Sequence, residues 1–228
     1  MKMLIATDFD GTFCRGGGVS DADRAAIARW RAEGRYFGFV TGRGTDFIET
    51  IRTFGVEVDY HLLYNGALLA LADGTVVKEY RIPRADFLAL EERFREIPDA
   101  RYFSETGKDA YYHQYYATFD TPERACEVAD AVNAEFGGRV TAFVNGPHVN
   151  IGKKGSGKAQ GVSDALGYYG LPADAAAVFG DDFNDIEMIR VHHGWAVDTA
   201  RPQVLSSAAH VCGSVGEAAL KLLAEASD

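Results

Sequence analysis

Short apolar runs that end in acid, glycine or threonine alternate with amphipathic stretches in the first and last thirds of this chain. That alternation constrains the fold more than any other feature. Residues 3–9 read as a buried strand, an apolar run closed by Asp8, Asp10 and Gly11. Ser20 is a helix N-cap signal, for a helix that carries Ile27 and Trp30 and stops at Gly34. Residues 36–40 predict a second strand. Phe47, Ile51 and Phe54 share one helical face ended by Gly55, and residues 60–64 predict a third strand. After Lys158 the pattern resumes: a helix to about Tyr169, a strand at 176–179, a helix over 186–190, a strand at 195–197 and a final helix from Val215. Strands alternating with helices imply a parallel sheet with helices on both faces, an α/β fold.

The middle of the chain has a different rhythm. From about Pro83 to Gly152 the pattern is helix, hairpin, helix, hairpin. Phe87, Leu90, Phe94 and Ile97 form the stripe of the first helix; Ala125, Val128, Ala129, Val132 and Phe136 form that of the second, which starts after Thr121-Pro122. One hairpin is expected to pair residues 101–103 with 111–118 across Thr106-Gly107-Lys108-Asp109. The other is expected to join 139–144 to 148–151 through Asn145-Gly146-Pro147. Hairpins mean antiparallel pairing, so residues 83–152 are expected to form an inserted α+β unit, with 1–82 and 153–228 making one discontinuous core.

Composition removes several function classes. The 228-residue chain is 47% hydrophobic and carries a net charge of -10, with no run of four basic residues, which argues against nucleic-acid binding. Cys14, Cys126 and Cys212 are too few and too scattered for a disulfide framework or a Cys-x-x-Cys metal site. The N-terminal apolar run is closed by acids, unlike a secretory signal, and no stretch approaches the length of a membrane span. The expectation is a reduced, cytoplasmic protein with no membrane partner; oligomeric state is not legible.

In an open parallel sheet, ligands bind beyond the carboxyl ends of the strands. Those ends carry Asp8-Phe9-Asp10-Gly11-Thr12, Thr41-Gly42-Arg43 and Gly180-Asp181-Asp182-Phe183-Asn184-Asp185. Five carboxylates gathered there repel one another unless a cation intervenes, and hard oxygen ligands without His or Cys point to Mg2+. Asp8 and Asp10, two apart in extended backbone, are expected to face the same pocket, one as a nucleophile and the other as a general acid/base. Thr41-Gly42 offers a hydroxyl and backbone N–H groups as a phosphate cradle. Arg43 either clamps the substrate or sits in solvent.

In the order DFDGT, TGR, Lys158 and GDDFND, with Tyr64-Asn65-Gly66-Ala67 between, the chain resembles the haloacid dehalogenase (HAD) superfamily, specifically its Cof-type sugar-phosphatase-like group of subclass IIB. That resemblance implies a HAD-like Rossmannoid core and, at residues 83–152, an α+β cap of type C2B. It implies that Asp8 accepts the phosphoryl group as an aspartyl-phosphate, and that Asp10 protonates the leaving alcohol and then activates water. It implies Mg2+ held by Asp8, the backbone carbonyl of Asp10, and Asp181, with Asp185 binding a metal water or steadying Lys158. Thr41, Gly42, Arg43 and Lys158 would hold the phosphoryl group, and Asn184 would contact substrate. Asp182 departs from the small or polar residue common there and receives no role.

The flap between DFDGT and the first helix is short, so specificity is expected to come from the cap. Tyr111 to Tyr116 alternate in a strand, either packing one face on the cap helices or offering aromatics and His113 to a polyol; His148 and Asn150 are further candidates. His192-His193 lacks a third ligand and reads as a surface pair. GKKGSGKA at residues 152–159 is one residue from a nucleotide-binding loop. Ala159 has no oxygen for a metal and the stretch does not follow a first strand, so Lys158 is expected to serve as a phosphate-binding cation instead. The expected activity is a phosphatase for a small phosphorylated metabolite, a sugar or polyol phosphate. A sugar phosphomutase of the same superfamily and a non-catalytic phospho-accepting regulator stay open.

Overall fold

The structure, a computed structural model, describes residues 3–103 and 111–226. These divide into two compact units, one of residues 1–78 and 158–228, the other of residues 79–157. The turn expected at Thr106 to Asp109 lies outside the described residues.

The first unit begins with β1 (Leu4–Thr7), α1 (Asp21–Ala32), β2 (Tyr36–Val40), α2 (Phe47–Thr53), β3 (Tyr60–Leu63), β4 (Leu68–Leu71) and β5 (Val76–Glu79). The inserted segment runs β6 (Ile82–Pro83), α3 (Arg84–Arg95), β7 (Arg101–Phe103), β8 (Tyr111–Tyr112), β9 (Gln114–Thr118), α4 (Pro122–Phe136), β10 (Val140–Asn145) and β11 (His148–Lys153). The first unit resumes with α5 (Lys158–Tyr168), β12 (Ala176–Gly180), α6 (Ile186–Val191), β13 (Trp195–Val197), α7 (Pro202–Leu205), β14 (His210–Cys212) and α8 (Val215–Glu225).

An eight-stranded sheet orders these strands β14-β13-β12-β1-β2-β3-β4-β5. It is parallel from β14 to β3, but β4 runs antiparallel to β3, Leu63 opposite Leu68. The alternating pattern assigns no element to residues 68–79, and the strands there are a correction to it. Their signal is a turn around Asp73-Gly74, whose geometry is fixed by Leu71 N–H donating to Thr75 O and Thr75 N–H to Asp73 Oδ1, both at 2.9 Å. Two apolar layers cover the sheet. One gathers Phe9, Phe13, Phe37, Phe39 and Phe47 with α1, α2 and α8; the other packs Val162, Ala165 and Leu166 of α5 with Leu62 of β3 and against β1 and β12. Ser20 caps α1 by accepting from Asp23 N–H at 3.0 Å, and Gly34 follows its end with φ +73°.

The sheet centre depends on one missing side chain. Gly38 of β2 lies opposite Tyr60 of β3, whose ring crosses β2 so that its hydroxyl donates to Ile5 O of β1 at 2.7 Å. A Cβ on Gly38 would stand 2.5 Å from that ring and from Tyr60 O.

In the second unit a four-stranded antiparallel sheet, β10-β11-β9-β7, packs one face on α3 and α4. Tyr115, Ala117 and Phe119 are buried there with Phe87, Leu90 and Phe94. The strand expected over 111–118 is broken at His113. β8 pairs with β6, whereas β9 pairs with β7 and β11. Tyr112 stacks on Phe87 with centroids 3.6 Å apart, and His113 Nε2 meets Glu79 Oε2 at 3.0 Å, so these two side chains are engaged within the unit. The opposite face is polar: Gln114 donates to Asn150 at 2.9 Å, and Tyr116 Oη and Thr118 Oγ1 lie 2.7 and 3.0 Å from His148 Nδ1.

Substituting Gly38→Ala is expected to destabilise the protein by about 1–3 kcal/mol, the cost of overpacking, read as a lower denaturant midpoint at unchanged slope. A second expectation concerns His61 on β3, buried at 1% exposure against Phe47, with Nδ1 lacking a hydrogen-bond partner among the described residues. Burial, helped by the Arg52 charge, lowers its pKa to about 4. Between that value and the ordinary 6.5 the unfolded chain binds the proton and the folded one does not, so stability from this group is full above 6.5 and is lost as pH falls toward 4. Chemical denaturation at pH 7.5 and 4.5 should show His61→Leu losing roughly 3 kcal/mol less than the parent over that span; equal losses would refute the assignment.

Candidate active site

Three adjacent strands deliver the chemistry at their carboxyl ends: Asp8 follows β1, Thr41 follows β2, and Asp181 follows Gly180 at the end of β12. Asp8 N–H donates to Phe179 O and Thr41 N–H to Leu62 O, both at 2.9 Å, so the sheet ladder continues into the site and fixes its backbone. Lys158 comes from the first turn of α5 and is buried at 3% exposure. Its Nζ donates to Asp8 Oδ1 and to Asp185 Oδ1, each at 2.7 Å. Asp185 is oriented for this by accepting at Oδ2 from Asp181 N–H at 3.0 Å and Asp182 N–H at 3.1 Å.

Asp8, Asp181 and Asp185 each present an oxygen within 4.8 Å of the others'. Three carboxyl groups facing one ammonium crowd negative charge among largely buried groups. Burial pushes Asp8 well above the ordinary carboxylate range; Lys158 opposes the shift, while Asp185 and Asp181 add to it. Asp181 is raised to about 6, first by burial, with a hydrogen bond from Thr12 pulling the other way. Burial would lower Lys158, but the two carboxylates outweigh it and raise the ammonium's pKa. A divalent cation with hard-oxygen preference relieves this imbalance, so the residues present fit such an ion. Zinc-type chemistry has no His or Cys in the cluster to work with.

The turn after β1 fixes the orientation of Asp181. Thr12 Oγ1 donates to Asp181 Oδ1 at 2.6 Å, a role not read from the sequence although Thr12 lies within DFDGT. Gly11 has φ +88°, and a Cβ there would fall 2.3 Å from Asp181 Oδ2. Asp10 stands apart from the cluster. Its carboxylate takes a two-pronged bond from Arg43, Nε to Oδ2 at 2.8 Å and Nη2 to Oδ1 at 2.7 Å. Arg43 in turn lies over the rings of Phe9 and Phe47. Its Nε and Nη2 thus grip Asp10, while the side chain as a whole stays 43% exposed.

Thr41 is buried and its Oγ1 accepts from Arg43 N–H at 3.2 Å, next to Gly42. Asn184 donates from Nδ2 to Asn65 Oδ1 at 3.0 Å. Asp182, without a role in the sequence reading, has a structural one. It caps the 3-10 turn at Phe183–Asp185, accepting from Phe183 N–H at 2.6 Å, and pairs with Arg201 Nε at 2.7 Å. The near-nucleotide loop ends as a turn, with Ser156 N–H and Oγ both bonded to Lys153 O, before Lys158 opens α5. His192 caps the end of α6 and His193 is exposed beside it.

The family described as haloacid dehalogenase-like hydrolase matches residues 5–120 and 95–221. The chain belongs to that family. It is 24% identical over 249 residues to the 5-amino-6-(5-phospho-D-ribitylamino)uracil phosphatase YbjI of Escherichia coli, covering 92% of this chain and 90% of the relative. Its fold matches a haloacid dehalogenase-like hydrolase from Bacillus subtilis, at a TM-score of 0.83 and 15% identity over 98% of this chain and 99% of that one. It also matches a haloacid dehalogenase-like hydrolase from Bacteroides thetaiotaomicron, at 0.77 and 19% over 97% and 100%. A third match is the HAD subclass IIB sugar phosphatase BT4131, at 0.79 and 17% over 97% and 99%. Among the described residues no helix is long and apolar enough to cross a membrane.

Because Gly11 leaves room for Asp181, Gly11→Ala should displace that carboxylate. Thermal melts with and without millimolar Mg2+ are expected to show a clear rise for the parent and little or none for Gly11→Ala or Asp181→Asn. An undiminished rise in Gly11→Ala would mean that Asp181 does not depend on the glycine.

Proposed function

We propose that this protein is a Mg2+-dependent phosphatase that hydrolyses a small phosphorylated metabolite, a sugar or polyol phosphate, through an aspartyl-phosphate on Asp8. The observation that carries the reading is the buried Lys158 held between Asp8 and Asp185, with Asp181 beside them. The Escherichia coli relative is named for a phosphorylated ribityl compound and one structural neighbour is a sugar phosphatase, which supports a hydroxylated phosphate ester. The reading includes a cytoplasmic setting, and the second unit as the source of substrate specificity.

In this mechanism an Asp8 oxygen attacks phosphorus, the bond from phosphorus to the ester oxygen breaks, and Asp10 gives its proton to the departing alkoxide. Water then attacks the aspartyl-phosphate, Asp10 takes its proton, and the bond between phosphorus and Asp8 breaks to release phosphate. Asp10 is held by Arg43, so proton delivery requires that pair to open. Thr41, the Gly42 backbone and Lys158 hold the phosphoryl oxygens; Asp8, the Asp10 carbonyl and Asp181 would hold the metal, with Asp185 steadying Lys158. When bound, the metal neutralises charge on the transferring phosphoryl group. The protein's own part is positioning and charge compensation, which phosphoryl transfer chiefly demands.

A panel of sugar phosphates, polyol phosphates, nucleotides and an aromatic phosphate ester should show phosphate release that needs Mg2+ and stops with a chelator. Asp8→Asn should lower it by at least about a thousandfold while keeping the fold. A parent protein that binds the metal yet releases phosphate from no ester defeats the proposal. Release of an isomerised sugar phosphate in place of inorganic phosphate identifies a mutase.

A further inference from the structure

The turn between β3 and β4 touches two other parts of the site. Tyr64, Asn65 and Gly66 follow one another in the left-handed region, with φ of 52°, 54° and 86°. Two of them carry a Cβ, which this conformation disfavours, so outside contacts must hold them there. On one side two backbone bonds do so: Tyr64 N–H donates to Arg43 O at 2.9 Å and Asn65 N–H to Thr41 O at 2.8 Å. Their side chains lie against the same loop. A Cβ on Gly42 would stand 3.2 Å from Asn65 Nδ2, and one on Gly44 2.8 Å from Tyr64 Oη. The loop after β2 is moulded on the turn.

The other side of the turn meets α5. Gly161 is buried three residues beyond Lys158, a spacing that puts both on one helical face. A Cβ on Gly161 would stand 2.9 Å from Gly66 Cα and 3.3 Å from Gly66 O. Both partners are main chain, so no change of rotamer relieves the contact. Glycine is a poor residue for a helix interior, and the backbone it lies against accounts for it here. Lys158 has no slack of its own, because Asp8 and Asp185 hold its ammonium, each at 2.7 Å.

We propose that this turn is a spacer, which sets the separation between the two groups that grip the phosphoryl oxygens: the Thr41 loop on one side and Lys158, at the start of α5, on the other. Tyr64, Asn65, Gly66 and Gly161 are positioning residues that act through Thr41 and Lys158. A phosphoryl group has the same size whatever alcohol it leaves. An error in the spacing is therefore felt as weaker phosphate binding, common to all esters. The inference rests on the phosphatase reading and adds what fixes the distance between its anion-binding groups.

Gly161→Ala separates this role from a merely structural one. It replaces a poor helix former by the best, so a helix without a spacing duty would be unharmed or steadier. A spacer predicts the reverse. The added Cβ must part α5 from Gly66 by about half an ångström, from 2.9 Å to the 3.4 Å at which ordinary contact begins. Inhibition by inorganic phosphate, with Mg2+ present, should weaken about tenfold, and kcat/KM should fall by a similar factor on a polyol phosphate and on an aromatic ester alike. Asn65→Gly keeps the left-handed turn and should change phosphate inhibition less than about threefold, whereas Asn65→Val resists that turn and should match Gly161→Ala. Unchanged phosphate inhibition in Gly161→Ala, a loss confined to one ester, or equal damage from Asn65→Gly and Asn65→Val overturns the proposal. Should Gly161→Ala and Asn65→Val fail to fold, the parent decides by nuclear magnetic resonance: phosphate with Mg2+ should shift the backbone amide signals of Tyr64, Asn65 and Gly161, and unmoved signals overturn the spacer. A parent that binds no phosphate and turns over no ester removes the phosphatase reading and the spacer with it. An active parent that tolerates Gly161→Ala removes the spacer alone.

Discussion

A single buried ammonium organises the first unit. Lys158 and Asp8 are 150 residues apart in sequence, and Asp185 is a further 27 beyond Lys158. Burying a lysine is costly, and burying a carboxylate is costly, so each is tolerable only with the other in place. The pairing therefore fixes more than a contact. It sets where α5 begins when the chain returns from the inserted segment, and it holds the loop after β12 against the end of β1. Asp185 completes this by collecting two backbone amides, which ties the loop's shape to the same charge. The residue that compensates charge in the site also anchors the two halves of the discontinuous unit to each other.

Around that centre, most of the remaining geometry excludes alternatives. Thr12 and the glycine before it give Asp181 one orientation, and Arg43, lying on two phenylalanine rings, gives Asp10 another. The two carboxylates on either side of Phe9 consequently sit in unlike surroundings, one buried beside an ammonium and the other half-exposed in a guanidinium fork. Separation of environments for neighbouring acids is how one pocket keeps two distinct functions for the same side-chain type.

Much of this was legible in the residues, for identifiable reasons. The central strands are short, fully buried and closed by acid, threonine or glycine, so both their existence and their functional ends announce themselves. The helix stripes of α3 and α4 match the expected residues, except that Ile97 lies just past the end of α3, because their apolar spacing has few competing interpretations. The antiparallel strand β4 was hidden, since Leu68–Leu71 carries no alternation and a buried run does not reveal its direction. The break at His113 was hidden too: six successive residues with strand preference do not reveal that two of them pair elsewhere. Within the site, motif order could supply the acids, yet not that Arg43 holds Asp10 or that Asn65 meets Asn184. Those are side-chain choices made in three dimensions, and no spacing rule encodes them.

The strand order has a consequence for how the chain comes to be folded. β1 lies between β2 and β12, and β12 is made only after more than 160 further residues. During synthesis β1 can pair promptly on one side, while its other edge, apolar and rich in unpaired N–H and C=O groups, waits for the inserted segment to emerge. Until then the growing polypeptide carries an open central strand at an exposed sheet margin, a recognised starting point for aggregation. The long interval between the two partners also raises the chain's contact order and slows closure of the sheet. A fragment ending at the insert would keep that unsatisfied margin permanently, so vectorial synthesis makes the last third of the chain its conformational seal.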